Sequence, residues 1–122
     1  MAKQPKQVQK ALNTTRKTLL AQQVEIADNY FTRLKGLMGR PVLSAGQALW
    51  IFPCSDVHSC FMRFEFDAVF LNKQGEVLHL AKRMKPWRIS KFVKGSHGVL
   101  ELPAGIIEET GTQLGDMVVF EP

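Results

Sequence analysis

Hydrophobic and polar positions change period several times along the chain, and each change predicts an element. From Thr18 to Ala27, Leu20, Val24 and Ile26 alternate with polar neighbours, the period of two expected of a half-buried strand. Asp28 or Asn29 can then cap a helix whose apolar stripe is Tyr30, Leu34, Leu37 and Met38, closed by Gly39 and Pro41. Ser44-Ala45-Gly46 reads as a turn, and Ala48 to Phe52 as a short buried strand broken at Pro53. The run VHSCFMRFEFDAVFL, Val57 to Leu71, reads as extended chain. Within it Met62, Phe64, Phe66, Ala68 and Phe70 share one parity and face a core, while Arg63, Glu65 and Asp67 share the other.

The second half of the chain is punctuated by turn residues. Asn72-Lys73-Gln74-Gly75 predicts a hairpin turn, with Glu76 to Arg83 as the returning strand. Gly98 to Leu102 predicts a further strand, Pro103-Ala104-Gly105 opens a helical turn over Ile106 to Thr110, and Gly115-Asp116 leads into a last strand, Met117 to Glu121. Many short strands with few helices predict a mainly β fold: a small single-domain β-barrel or sandwich with one N-terminal helix and one short helical turn. A parallel α/β sheet is disfavoured because its crossover helices are missing.

Charge changes the picture at the N-terminus. All of the formal net charge of +5 resides in Lys3, Lys6, Lys10, Arg16 and Lys17, which have no acidic neighbour within the first twenty residues. Residues 1–17 are therefore read as a basic, disordered tail, and 18–122 as one mainly β domain of neutral balance. At 122 residues the chain is long enough for a proper core. No stretch reaches the roughly 20 apolar residues of a membrane helix, and the N-terminus lacks the apolar run of a secretory signal, so a cytoplasmic location is expected. Cys54 and Cys60 stand about 20 Å apart on an extended strand, which predicts free thiols.

Candidate chemistry concentrates in three blocks: Val57 to Leu71, Pro86-Trp87-Arg88, and Val99 to Gly105. Ionisable groups within apolar strands are costly unless paired, exposed or useful. Arg63 and Arg88 offer planar forks for a carboxylate or phosphate, Trp87 a flat wall, and His58 a further polar contact. Asp67 and Glu101 can orient the arginines, or meet across adjacent strands as paired carboxylates. Cys54, Asp56, His58 and Cys60 share parity, but no CxxC or HExxH spacing supports a metal site, and no metal or cofactor is expected. A thiol nucleophile would need a base or positive potential beside Cys54 or Cys60. The segment Lys82 to Lys94 interleaves six basic residues with Trp87 and Phe92, a pattern that also suits single-stranded nucleic acid.

With these blocks in view, the chain resembles the bacterial and archaeal family called domain of unknown function 192, from about Ala27 to Phe120. The resemblance is carried by Arg33 with Gly36-Leu37-Met38, Arg40, Val57-His58, Met62-Arg63-Phe64 and Asp67 to Leu71. It continues through Gly75, Pro86-Trp87-Arg88, Val99 to Leu102, Ala104-Gly105 and Gly115-Asp116. Cys54 matches a Cys common in the family four residues before the His. The family usually has an aromatic and then Gly where this chain has Cys60 and Phe61, and Pro where it has Glu65. The resemblance implies a compact, mainly β fold and no established activity. The functional expectation is a binding or accessory module in which His58, Arg63, Asp67, Trp87, Arg88 and Glu101 line a polar cleft for a small anionic ligand or peptide carboxylate. A thiol-dependent or metal-assisted hydrolase is the alternative, and a nucleic-acid binder using the tail and Lys82 to Lys94 is the third reading.

Overall fold

The structure is a computed structural model and describes residues 9–122. It contains seven strands, β1 (Gln9–Asn13), β2 (Thr18–Ala27), β3 (Gln47–Ile51), β4 (Phe66–Leu71), β5 (Val77–Met84), β6 (Gly98–Pro103) and β7 (Val118–Glu121). Two short helices, α1 (Tyr30–Lys35) and α2 (Ile106–Thr110), complete it. The strands form a single sheet in the order β5-β4-β6-β3-β2-β1-β7. Every neighbouring pair is antiparallel except β2 and β3, which run parallel and are joined by the segment carrying α1. That segment supplies the crossover a parallel pair requires.

The sheet curls until its two edge strands meet at one end. Val77 donates to the Asp116 carbonyl at 2.8 Å, and Val118 donates to the Gly75 carbonyl at 2.8 Å. Gly75 has φ of +90°, and a Cβ there would lie 2.3 Å from the Val118 carbonyl oxygen, so this seam needs glycine twice over. The fold is thus a curled half-barrel rather than a closed barrel or a two-sheet sandwich. The sheet buries both faces. On the concave side Ala11, Leu20, Ala48, Val69, Val77, Leu100 and Val118, one from each strand, converge with Ile107 of α2. On the other face Leu49, Ile51, Phe66, Ala68, Phe70 and Val99 pack against Leu37, Val57 and Met62 from the connections. This double burial explains why β4 is apolar at nearly every position rather than alternating.

Three expectations are corrected here. The tail assigned to residues 1–17 is ordered from Gln9: β1 pairs with both β2 and β7, while residues 1–8 lie outside the described residues. Its register is fixed by a polar knot. The buried Asn13 side chain donates to Thr112 and Asp116 at 3.1 and 3.0 Å, and Arg16 pairs with the same Asp116 carboxylate at 3.0 Å. A short polar strand was invisible to hydrophobic periodicity because its buried Asn13 is anchored by side-chain hydrogen bonds rather than by apolar burial. The first helix lies between β2 and β3 and ends at Gly36, three residues earlier than the apolar stripe predicts, because Gly36 takes a positive φ of 49°. Finally, only Phe66–Leu71 of the long Val57 to Leu71 run is strand; residues 57–65 form a connection whose Met62 and Phe64 still reach the predicted core.

Candidate functional site

Strand parity decides where the candidate carboxylates go. In the β4–β6 pairing Asp67 lies opposite Leu102, and Glu101 lies opposite Ala68. Leu102 belongs to the concave core and Ala68 to the outer one, so the two acids project from opposite faces of the sheet. They do not form a carboxylate pair.

Asp67 is 1% exposed and fully engaged with backbone. One carboxylate oxygen accepts from Arg83 N–H at 2.8 Å; the other accepts from Gly105 and Ile107 N–H at 3.2 and 2.8 Å. It anchors the start of α2 and the bulged end of β5, which is a structural role with no free lone pair aimed at solvent.

The second sequence block also meets the first, but through Ser59 and backbone groups rather than through the candidate side chains. Ser59 N–H donates to the Arg88 carbonyl at 2.7 Å, Arg88 N–H donates to Ser59 Oγ at 2.7 Å, and His58 bridges Ile89. This clip turns the neighbouring side chains outward. Trp87 is 58% exposed with its indole edge-on to the exposed Phe61, ring centroids 4.8 Å apart. Arg88 and Arg63 are exposed as well, and Arg88 bends back onto the Trp87 carbonyl at 3.4 Å. Arg63, Asp67, Trp87 and Arg88 therefore stand outside the cavity beneath α1, and of the six expected residues only His58 and Glu101 line it.

That cavity, about 490 Å³, lies on the outer face beneath α1. Leu37, Ile51, Val57 and Met62 are its buried apolar wall, with Leu34 and Met38 nearer the opening. Arg33 and Lys35 reach it from α1, and Cys54, Asp56 and His58 from the connection after β3. The Asn29 side chain caps α1 by accepting from Thr32 N–H at 2.9 Å, and Arg33 is held across the opening by the Pro53 carbonyl at 3.1 Å. His58 Nδ1 accepts from Cys60 N–H at 3.2 Å, which leaves Nε2 as the unassigned ring nitrogen.

Glu101 is the chemically unusual member. It is 3% exposed, yet among the described residues no hydrogen bond or ion pair reaches its carboxyl. Gly36 leaves room for it: a Cβ there would sit 3.6 Å from Glu101 Oε1. Burial pushes its pKa up from 4.5 to about 8, opposed only by the distant pull of Arg40, which is itself engaged with Glu25. At neutral pH the group is predominantly the uncharged acid, a hydrogen-bond donor within an apolar wall. Burial likewise raises the Cys54 thiol pKa, outweighing its hydrogen bond to the Asp56 carbonyl, and Asp56 and Glu101 push in the same direction. That environment disfavours a thiolate nucleophile. Both cysteines are free, and among the described residues no three His, Cys, Asp or Glu side chains are grouped to hold a metal ion.

Arg33, Lys35 and Cys54 were not among the expected ligand-contacting residues. The signal for Arg33 and Cys54 lay in the family resemblance, carried by Arg33 with Gly36-Leu37-Met38 and by the Cys preceding the His; Lys35 had no sequence signal.

The sequence profile of DUF192, described as an uncharacterized ACR, matches residues 11–120, nearly the whole sheet and both helices. The chain belongs to this family. A UPF0127 protein of Thermococcus sibiricus is 31% identical over 115 residues, covering 90% of this chain and 73% of that one. A UPF0127 protein of Pyrococcus furiosus is 34% identical over 110 residues, covering 86% and 92%. The fold is also that of a solved protein of unknown function from Novosphingobium aromaticivorans, with TM-score 0.79, 19% identity, and coverage of 92% of this chain and 83% of the other. No helix among the described residues is long and apolar enough to cross a membrane.

Proposed function

We propose that this DUF192 member is a small-ligand binding module, and that its ligand enters the cavity beneath α1 rather than the cleft expected around Arg63 and Arg88. The observation that carries this reading is an unpartnered, buried Glu101 on the wall of a cavity about 490 Å³ in size. Polar groups are rarely left so unless water or a ligand completes them. The positive side chains of Arg33 and Lys35, with His58, favour a small anion such as a carboxylate at the opening, while Leu37, Val57 and Met62 favour an apolar body behind it. Hexanoate is a suitable probe, followed by amide chemical shifts in isotope-labelled protein. Shifts confined to residues 33–38, 51–58 and 101, weakened several-fold in an Arg33→Ala/Lys35→Ala variant, support the reading. Absence of binding, or shifts centred on Trp87 and Arg88, refutes it.

A nucleic-acid reading is supported by a different surface. Lys82, Arg83, Lys85, Arg88, Lys91 and Lys94 are all exposed, beside exposed Trp87 and Phe92. Binding of a labelled single strand that weakens steeply with added salt is its signature, and no binding at low salt removes it.

A further inference from the structure

We infer that Glu101 is the recognition group of the cavity beneath α1, and that it acts in its acid form, donating a hydrogen bond to an acceptor oxygen of the ligand. The ligand class that follows is an amphipathic carboxylate or amide, not an amine. This rests on the cavity being a binding site, as proposed above.

The argument is one of satisfaction and charge. Glu101 emerges from β6 between Leu49 of β3 and Ala68 of β4, both buried and apolar. No backbone N–H or side-chain donor among the described residues supplies the hydrogen bonds a buried carboxylate needs, so ionisation there is costly. The remaining charged or titratable groups around the cavity are Arg33 and Lys35 from α1, Arg40 beyond it, and Cys54, Asp56 and His58 from the connection after β3. The cations outnumber the one nearby carboxylate, Asp56, so an ammonium entering past Arg33 and Lys35 meets repulsion and then an uncharged acid. A carbonyl or carboxylate oxygen meets attraction and then a donor. In the site the acid keeps its proton and the ligand oxygen accepts from it; no bond is made or broken.

Binding of the oxygen-bearing ligand is therefore coupled to the proton on Glu101, whose pKa lies at about 8. If only the protonated site is competent, affinity falls about tenfold between about pH 7 and about pH 9, following the competent fraction. Calorimetric titrations with hexanoate, hexanamide and hexylamine at the two pH values test this in the full chain. Hexanoate and hexanamide are expected to bind at the lower pH and weaken about tenfold at the higher, with hexylamine the weakest of the three. Glu101→Gln, which keeps an uncharged donor, is expected to bind hexanoate and hexanamide equally at both pH values. Glu101→Leu is expected to lose hexanamide. Repeating the series with His58→Asn removes the imidazole from the comparison. Hexylamine binding at least as tightly as hexanoate, or an unchanged pH dependence in Glu101→Gln, overturns the inference. Hexanoate binding without any pH dependence in the wild-type chain defeats this inference alone. No binding by any probe removes the cavity reading as well.

Discussion

Replacing Glu101 by Gln should stabilise the protein, and increasingly so as the solution becomes alkaline. The unfolded chain holds this carboxyl at its ordinary 4.5, while the folded protein holds it at about 8. The folded state therefore binds the proton more tightly. Its contribution to stability is intact below about pH 4.5, declines as pH rises through the interval, and is fully lost above about pH 8. At about 1.4 kcal/mol per pH unit, the loss amounts to about 3 kcal/mol at pH 7 and about 5 kcal/mol at pH 9, an upper bound because water entering the cavity would soften it. Glutamine has the same shape and no charge to bury, so its curve lacks this decline. Urea unfolding of both proteins at pH 5, 7 and 9 measures the difference directly. Near-coincidence at pH 5 with divergence toward pH 9 is the expected result. Parallel stability profiles across the range would mean that Glu101 finds a charge partner or ready hydration in solution, and the argument for an uncharged acid would be wrong.

Other perturbations probe the frame around the site. Asp67→Ala strands three backbone N–H groups at α2 and β5 and should cost about 3 kcal/mol or more in urea unfolding, since each orphaned donor costs about 1–3 kcal/mol; a loss below about 1 kcal/mol would show that α2 does not depend on this carboxylate. Gly75→Ala forces a Cβ against the Val118 carbonyl and should open the β5–β7 seam, seen as faster hydrogen exchange at Val77 and Val118; unchanged exchange refutes it. Cys54 should react with iodoacetamide more slowly than a free thiol at pH 8, because burial raises its pKa; alkylation at the rate of free cysteine would contradict that environment. Hydrogen bonds from Arg16, Asn13 and Gln113 outweigh burial and hold Asp116 below the usual carboxylate range. Stability from this group is thus present above the ordinary 3.8 and lost as pH falls through the lower folded value, so Asp116→Asn should flatten the acid limb of the unfolding profile.

How much of this was legible in the sequence depended on which force fixes each part. The alternation of Met62, Phe64, Phe66, Ala68 and Phe70 was readable because burial dictates it, and these residues do pack in one core although Met62 and Phe64 lie outside the strand. The relative facing of Asp67 and Glu101 was not, since it depends on the β4–β6 register, and a shift of one residue would have put them on the same face. Trp87 and Arg88 share their neighbourhood with His58 as the block pattern suggested, but their backbone groups, bonded to the Ser59 backbone and hydroxyl, make the contact and leave the side chains outside. The role of Arg33 and Lys35 depends on where a six-residue helix settles over the sheet, which no local pattern encodes. β1 escaped notice because it is short and polar, and its buried Asn13 is held by side-chain hydrogen bonds to the far end of the chain rather than by apolar burial.

That last pairing brings Lys10 opposite Glu121, so the N-terminal and C-terminal strands are immediate neighbours in space. A short linker in place of residues 1–8 can splice β7 directly onto β1, and the polypeptide can be reopened at the exposed Ser44-Ala45 turn without cutting a strand. Such a circular permutant keeps every strand pairing while β3 and the loop after it move to the beginning of the chain and α1 moves to its end, which makes the linear order of this fold an editable property rather than a requirement of its architecture.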